Sequence, residues 1–244
     1  MSEWSELWPG GPRFCQAEHF ALGTDSILLA DFVRAPGAKR GVDLGCGSGI
    51  LSLLLLHKTE KLRMTGLELD DAAAAVARDN LARNALSSRG EIVRGDIRNV
   101  RSLFRAGSFD LAVSNPPYFA EGRGARSPDP ARAAARSEAS CSLEELCAAA
   151  AFLLSTAGRF CLVHRPERLS EVFVTLSAHA LEPKRLRLVC AREGRSPSLA
   201  LIEARRGGAP GLIIEPTLLL RDSSGGESAE LRRIYHRGGA GAAK

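Results

Sequence analysis

A chain of 244 residues, 45% of them hydrophobic and 25% charged, carries enough apolar material for one sizeable core and too much to stay unfolded. Its 33 Lys+Arg against 28 Asp+Glu leave a net charge of +5, which permits a polyanionic partner without demanding one. Cys15, Cys46, Cys141, Cys147, Cys161 and Cys190 form no C-x-x-C pair, so neither a zinc site nor a disulfide framework is indicated. The opening MSEWSELWPGGPRF lacks the basic and apolar blocks of a signal peptide, and the longest apolar run, Ile50 to Leu56 with one serine, is too short to span a bilayer. A reduced, cytoplasmic protein is expected.

In chain order, residues 1–13 read as a turn-rich arm, extended or loosely held, with Trp4 and Trp8 ahead of PGGP. GTDSILLADFVRA reads as a helix capped by Thr24 or Asp25 and closed by APGAK. RGVDLG is a first strand, SGILSLLLLHK a buried helix and KLRMTGLEL a second strand. DDAAAAVARDNLARNAL is an alanine-rich helix with Asp70 and Asp71 at its positive end. GEIVRGD and SFDLAVSN are the third and fourth strands, followed by a long Arg/Pro/Ala loop. SLEELCAAAAFLLSTAG reads as a helix ended by Gly158, RFCLVH as a fifth strand and ERLSEVFVTLSAHAL as another helix. KRLRLVCAR and PSLALIEARR are two last strands; the EGRS between them is too short to cross a sheet face, so they pair antiparallel. The alternation predicts an α/β domain over residues 14–206, with a mostly parallel seven-stranded sheet covered on both faces. Residues 207–244 read as a C-terminal extension: an apolar stretch, a Ser/Gly turn, a short helix and a disordered GGAGAAK tail.

The first strand runs into DLGCGSG, with Gly45, Gly47 and Gly49 where a strand turns tightly into a helix. Glu68, at the end of the next strand, is placed to accept both hydroxyls of a ribose. A nucleoside-bearing ligand follows, but Ile50 stands where a dinucleotide fingerprint has its last glycine, and no lysine marks a P-loop. Asp43-Leu-Gly-Cys-Gly-Ser-Gly resembles the first motif of the Rossmann-like class I methyltransferases that use S-adenosylmethionine. The resemblance implies a cofactor site of Asp43, Gly45, Cys46, Gly47, Gly49, Glu68, Leu69, Asp96, Ile97 and Asn115. In it Glu68 takes the ribose and Asp96 the adenine amino group, and the last two strands form that fold's antiparallel hairpin. Asp96 also reads as a residue capping a turn.

The fourth strand stops at Asn115, Pro116, Pro117 and Tyr118. Two prolines cannot continue a ladder, and Pro117 supplies no N–H that would divert the Pro116 carbonyl. An amide oxygen, a fixed backbone carbonyl and an aromatic ring suit a planar substrate bearing an exocyclic NH2. Asn-Pro-Pro-Tyr resembles the motif of the amino-group methyltransferases, which implies in-line methyl transfer with Asn115, Pro116, Pro117 and Tyr118 as the catalytic group. A nucleobase must leave its stack to reach such a pocket. Arg123, Arg126, Arg132 and Arg136 in the following loop are placed to hold phosphates and cover the base, unless the loop is simply solvated.

The likeness extends over roughly residues 13–220. RFCQAEHFALGTDSILLADFV, NPPYFAEG and VHRPERLSEV resemble the tRNA adenine-N6 methyltransferases that modify the adenosine beside the anticodon of valine tRNA. In that family the segment holding Thr24 and Asp25 packs beside the cofactor pocket, so both residues are candidates to approach cofactor or base. Arg136-Ser137-Glu138 stands where relatives carry Arg-His-Glu, so a contact made by that histidine is missing. His164 to Arg168 reads either as an RNA contact or as an ion-paired turn. Ribosomal RNA, protein glutamine N5, a non-catalytic RNA-binding scaffold and a nucleotide-dependent oxidoreductase are the alternative readings.

Overall fold

The computed structural model describes residues 4–16, 23–116 and 141–236. Its strands are β1 (Ser5–Glu6), β2 (Arg13–Phe14), β3 (Arg40–Leu44), β4 (Arg63–Glu68), β5 (Gly90–Arg94), β6 (Phe109–Ser114), β7 (Leu154–His164), β8 (Leu181–Cys190), β9 (Pro197–Arg206), β10 (Ile213–Ile214) and β11 (Leu218–Leu219). The helices are α1 (Thr24–Phe32), α2 (Ile50–Lys58), α3 (Asp71–Arg83), α4 (Val100–Leu103), α5 (Leu143–Leu153), α6 (Leu169–Ala178) and α7 (Ala229–Ile234).

Seven strands lie in the order β5-β4-β3-β6-β7-β9-β8, and the short β10 and β11 both pair with β8 at its outer edge. The pairs β3–β4, β4–β5, β3–β6 and β6–β7 are parallel, while β9 runs antiparallel to both β7 and β8. From β3 the chain builds outward through β4 and β5, then returns to the other side of β3 as β6. That reversal opens a crevice between the carboxyl ends of β3 and β6, the place where an open α/β sheet binds its ligands.

Strand residues alternate between two cores, as a period of two requires. Leu111, Val113, Cys161 and Val163 face one core with α1, α2, α3 and α7; Val42, Ala112, Phe160 and Leu162 face the other with α4, α5 and α6. Helix α2 buries every residue from Leu51 to Leu56, which explains its nearly uniform apolar sequence. Lys58, in its last turn, donates to the carbonyls of Ala30, Asp31 and Val33 (3.1, 2.9 and 3.0 Å) and so closes the end of α1.

Three local expectations are revised. The helix beginning at Leu143 stops at Leu153, not Gly158, because Leu154 already pairs with Phe109 of β6. The chain between turns back through Ala157 at φ 63°, and a Cβ on Gly158 would lie 2.9 Å from the Ser155 carbonyl. Helix α1 is preceded by Gly23 with no side-chain cap, so Thr24 and Asp25 occupy its first turn and do not cap it. The N-terminal segment, expected to be extended or loose, is a β1–β2 hairpin docked on α3 over its described part. Asn84 brackets Arg13, accepting from its N–H (2.8 Å) and donating to its carbonyl (2.7 Å). The C-terminal extension likewise joins the core, with Leu231 and Ile234 buried beneath Trp8, whose ring stacks on His236.

Candidate active site

The glycine turn follows from backbone geometry. Gly45, Gly47 and Gly49 have φ of 71°, 53° and 79°, a region that costs an L-residue about 1–2 kcal/mol. The turn is pinned to β4: Gly45 and Cys46 donate to the Leu67 carbonyl (2.9 and 3.1 Å), and Gly47 donates to Glu68 Oε2 (2.7 Å). The other Glu68 oxygen accepts the Asp70 N–H (2.9 Å). Glu68 therefore clamps the turn from a buried position, and each of its oxygens has a second lone pair for a ligand hydroxyl.

Beneath the turn Asp43 is fully buried, its Oδ2 accepting from the Ser52 N–H (3.1 Å) and hydroxyl (2.9 Å). Its Oδ1 is buried without a hydrogen-bond partner. Burial, partly offset by those Ser52 bonds, pushes the Asp43 carboxyl up to about 7. The Cys46 thiol is also driven well above its ordinary value by burial, with Asp43 adding to the rise, so it is no nucleophile. Leu69 is 39% exposed beyond Glu68, and Ile97 packs within 3.7 Å of where a Gly45 Cβ would sit. Asp96 starts the 3-10 turn Ile97–Asn99, accepting from the Arg98 N–H (2.8 Å) and pairing with its guanidinium (2.6 Å). The Arg98 bond holds the Asp96 carboxyl below its ordinary value.

Across the crevice, Ser114 donates its hydroxyl to the Leu44 carbonyl (2.8 Å), which ties the end of β6 to the end of β3 just before the turn. Asn115 follows at once. Its Nδ2 donates to the Ser26 hydroxyl (2.9 Å), which orients the amide and brings the first turn of α1, with Thr24 and Asp25, to the site. Pro117, Tyr118, Arg123, Arg126, Arg132 and Arg136 lie outside the described residues. His164 and Arg168 belong to an ion-paired turn. His164 is buried and accepts the Arg165 N–H at Nδ1 (2.9 Å), and Arg168 pairs with Glu171.

Sequence reasoning missed three of the polar residues that build the site. Ser26 is a polar residue on a helix face that is otherwise apolar and buried, and that misfit is its signal. Ser52 is the same misfit inside the leucine run of α2. Asn80 of α3 is fully buried; it accepts from the Cys15 N–H and donates to the carbonyls of Cys15 and Ser48, each at 2.8 Å, so it couples the N-terminal hairpin to the glycine turn.

Residues 14–181 match the family model described as "Methyltransferase small domain". The chain belongs to the methyltransferase small domain family. Curated relatives of this methyltransferase include the tRNA1(Val) (adenine(37)-N6)-methyltransferase of Tolumonas auensis, 34% identical over 86% of this chain and 85% of that protein. Proteins of the same description from Porphyromonas gingivalis (35% identity, 75% of this chain and 74% of that one) and Bacteroides thetaiotaomicron (33%, 88% and 90%) are similar to it to the same degree. Among solved structures, one described as a predicted O-methyltransferase from Agrobacterium tumefaciens superposes with a TM-score of 0.71 at 22% identity, over 87% of this chain and 96% of that one. The geranyl diphosphate C-methyltransferase of Streptomyces coelicolor superposes at 0.54 with 14% identity, over 74% and 76%. Both share the class I fold. The cofactor of this methyltransferase is S-adenosylmethionine. The site suits it chemically: three left-handed glycines open the backbone to a ligand, and each oxygen of Glu68 keeps a lone pair beside the turn for a ribose hydroxyl.

Proposed function

We propose that this methyltransferase acts on the exocyclic N6 amine of an adenine in tRNA, the one beside the anticodon, in a cytoplasmic setting. One observation carries the reading: Asn115 stands at the end of β6, across the crevice from the glycine turn, with its NH2 engaged at Ser26. The descriptions of the relatives and the planar, amine-bearing substrate that the Asn-Pro-Pro-Tyr sequence fits point the same way.

Asp43, Gly45, Cys46, Gly47, Gly49, Glu68, Leu69, Asp96, Ile97 and Asn115 hold the cofactor, which when bound supplies a methyl group activated on a sulfonium. The Asn115 side-chain carbonyl and the Pro116 backbone carbonyl accept the two N–H bonds of the target amine. That contact draws the nitrogen toward tetrahedral geometry and turns its lone pair toward the methyl carbon. Tyr118 stacks on the base, and Thr24 and Asp25 border it from α1. Holding nitrogen and carbon in line at about 3–3.5 Å accounts for several kcal/mol of barrier reduction. No strong base is needed, since the amine proton leaves after transfer.

The test is methyl transfer from labelled S-adenosylmethionine to unmodified tRNA, ribosomal RNA and protein extract, with nucleosides resolved by mass spectrometry. N6-methyladenosine in tRNA is expected from the wild type. Asn115→Ala is expected to lower kcat at least about 100-fold with a much smaller loss of cofactor affinity, as for removal of a group that acts mainly in the transition state. Label in protein or ribosomal RNA alone overturns the substrate.

A further inference from the structure

The carboxyl edge of the sheet carries a second feature, beyond the crevice. Because β8 runs parallel to β7, the β8–β9 turn emerges on the same edge as Asn115. It lies three strands from β6, about 14 Å at the usual spacing of about 4.8 Å. All six turn residues, 191–196, are exposed.

Arg195 N–H donates back to the Arg192 carbonyl (3.3 Å) across Gly194, whose φ is 72°, so the two arginines are the first and last residues of one tight turn. Arg221 is held beside them, its N–H donating to the Ala191 carbonyl (3.0 Å). Arg165 reaches the start of β9, donating to the Ser198 carbonyl (3.3 Å).

Many other guanidinium groups are consumed by the fold. Arg34, Arg94, Arg98, Arg159, Arg168, Arg185, Arg187 and Arg233 all pair with carboxylates. Among the described residues, Arg192 and Arg195 have neither an ion pair nor a side-chain hydrogen bond. Three acids stand nearby. Glu193 is in the turn itself, Glu227 forms a backbone bridge with Arg221, and Asp222 is engaged in its own turn, its Oδ1 accepting from the Ser224 N–H, the Ser224 hydroxyl and the Gly226 N–H (3.0, 2.6 and 3.1 Å).

Two exposed, unconsumed guanidinium groups on one tight turn, at the edge where the target base enters, fit the phosphates of a nucleic-acid strand. We propose that the β8–β9 turn, through Arg192 and Arg195, is a backbone-contact platform that holds the RNA a few nucleotides from the methylated base. It rests on the reading of RNA as substrate.

The experiment compares Arg192→Ala/Arg195→Ala with wild type and with Arg40→Ala/Arg105→Ala. The control removes the same charge from residues near the start of β3 and before β6, on the opposite edge. Each is assayed with unmodified tRNA between 50 and 200 mM salt. Two lost phosphate contacts lower the salt slope of log affinity by about 1.4 to 1.8, so over that range wild type weakens about 7- to 12-fold more than the turn variant. Its KM for tRNA is expected to rise with kcat at saturating tRNA and cofactor affinity unchanged, the control is expected to match wild type, and Arg192→Lys/Arg195→Lys is expected to restore most of the slope. Wild-type slope and KM in the turn variant, with wild-type methylation of tRNA intact, overturn the platform and leave the function standing. A wild type that methylates protein and not tRNA overturns both.

Discussion

Replacing Asp43 by asparagine changes the pH dependence of folding in a direction set by burial. The Asp43 carboxyl titrates at about 7 in the folded chain against 3.8 in an open one. A carboxylate raised on folding favours the folded state while protonated, so its stabilisation is fully present below pH 3.8 and lost as pH rises through about 7. At 1.36 kcal/mol per pKa unit the whole loss is about 4 kcal/mol, of which about 2.5 kcal/mol falls between pH 5 and 8. The substituted amide stays neutral throughout. Its oxygen replaces Oδ2 as acceptor for the Ser52 N–H and hydroxyl, and its NH2 enters the corner where Oδ1 has no partner, at a cost of about 1–3 kcal/mol that does not vary with pH. Urea unfolding of cofactor-free wild type and Asp43→Asn at pH 5, 6, 7 and 8 measures the difference. His164 and His236, both held below their ordinary value by burial, titrate alike in both proteins and cancel. The variant is expected to gain about 2.5 kcal/mol on wild type across that range. Parallel curves would show that Asp43 is already ionised in the folded state, and the burial argument would fail.

Asn80→Ala removes the three hydrogen bonds that Asn80 makes to the Cys15 N–H and to the Cys15 and Ser48 carbonyls, so a loss of about 2–4 kcal/mol in urea unfolding and weaker cofactor binding are expected, and Asn84→Ala on the exposed side is expected to cost much less. Arg185, buried between Glu203 (2.5 Å) and Glu215 (2.9 Å), joins β8, β9 and the C-terminal segment. Arg185→Met is expected to lose about 3 kcal/mol by leaving the buried Glu203 with Arg159, 3.8 Å away, as its remaining ion partner, and the further change Glu203→Leu is expected to recover most of it. Gly66→Ala places a Cβ 2.7 Å from Ile92 and 2.8 Å from Cys46, so calorimetry is expected to show weaker cofactor binding and denaturation a cost of about 1–3 kcal/mol.

What the sequence determined by itself is local. Alternating strands and helices, glycines at the left-handed positions and prolines that end β6 are each written in a few neighbouring residues, because backbone sterics and side-chain period act over one turn or one pleat. The antiparallel β8–β9 pair was legible for the same reason: its connection is too short for any other geometry. Where a local signal was ambiguous, long-range pairing decided. Leu154 to Gly158 continues an apolar, alanine-rich helix in sequence, yet Leu154 pairs with Phe109, and the chain leaves the helix to make that bond. Ser26, Asn80 and the docked hairpin were hidden because their partners lie 89, 65 and 71 residues away. Only the tertiary structure placed the β8–β9 turn beside the catalytic edge. That placement follows from β9 entering the sheet between β7 and β8, a choice made by hydrogen bonds across the whole chain and not by any residue near the turn.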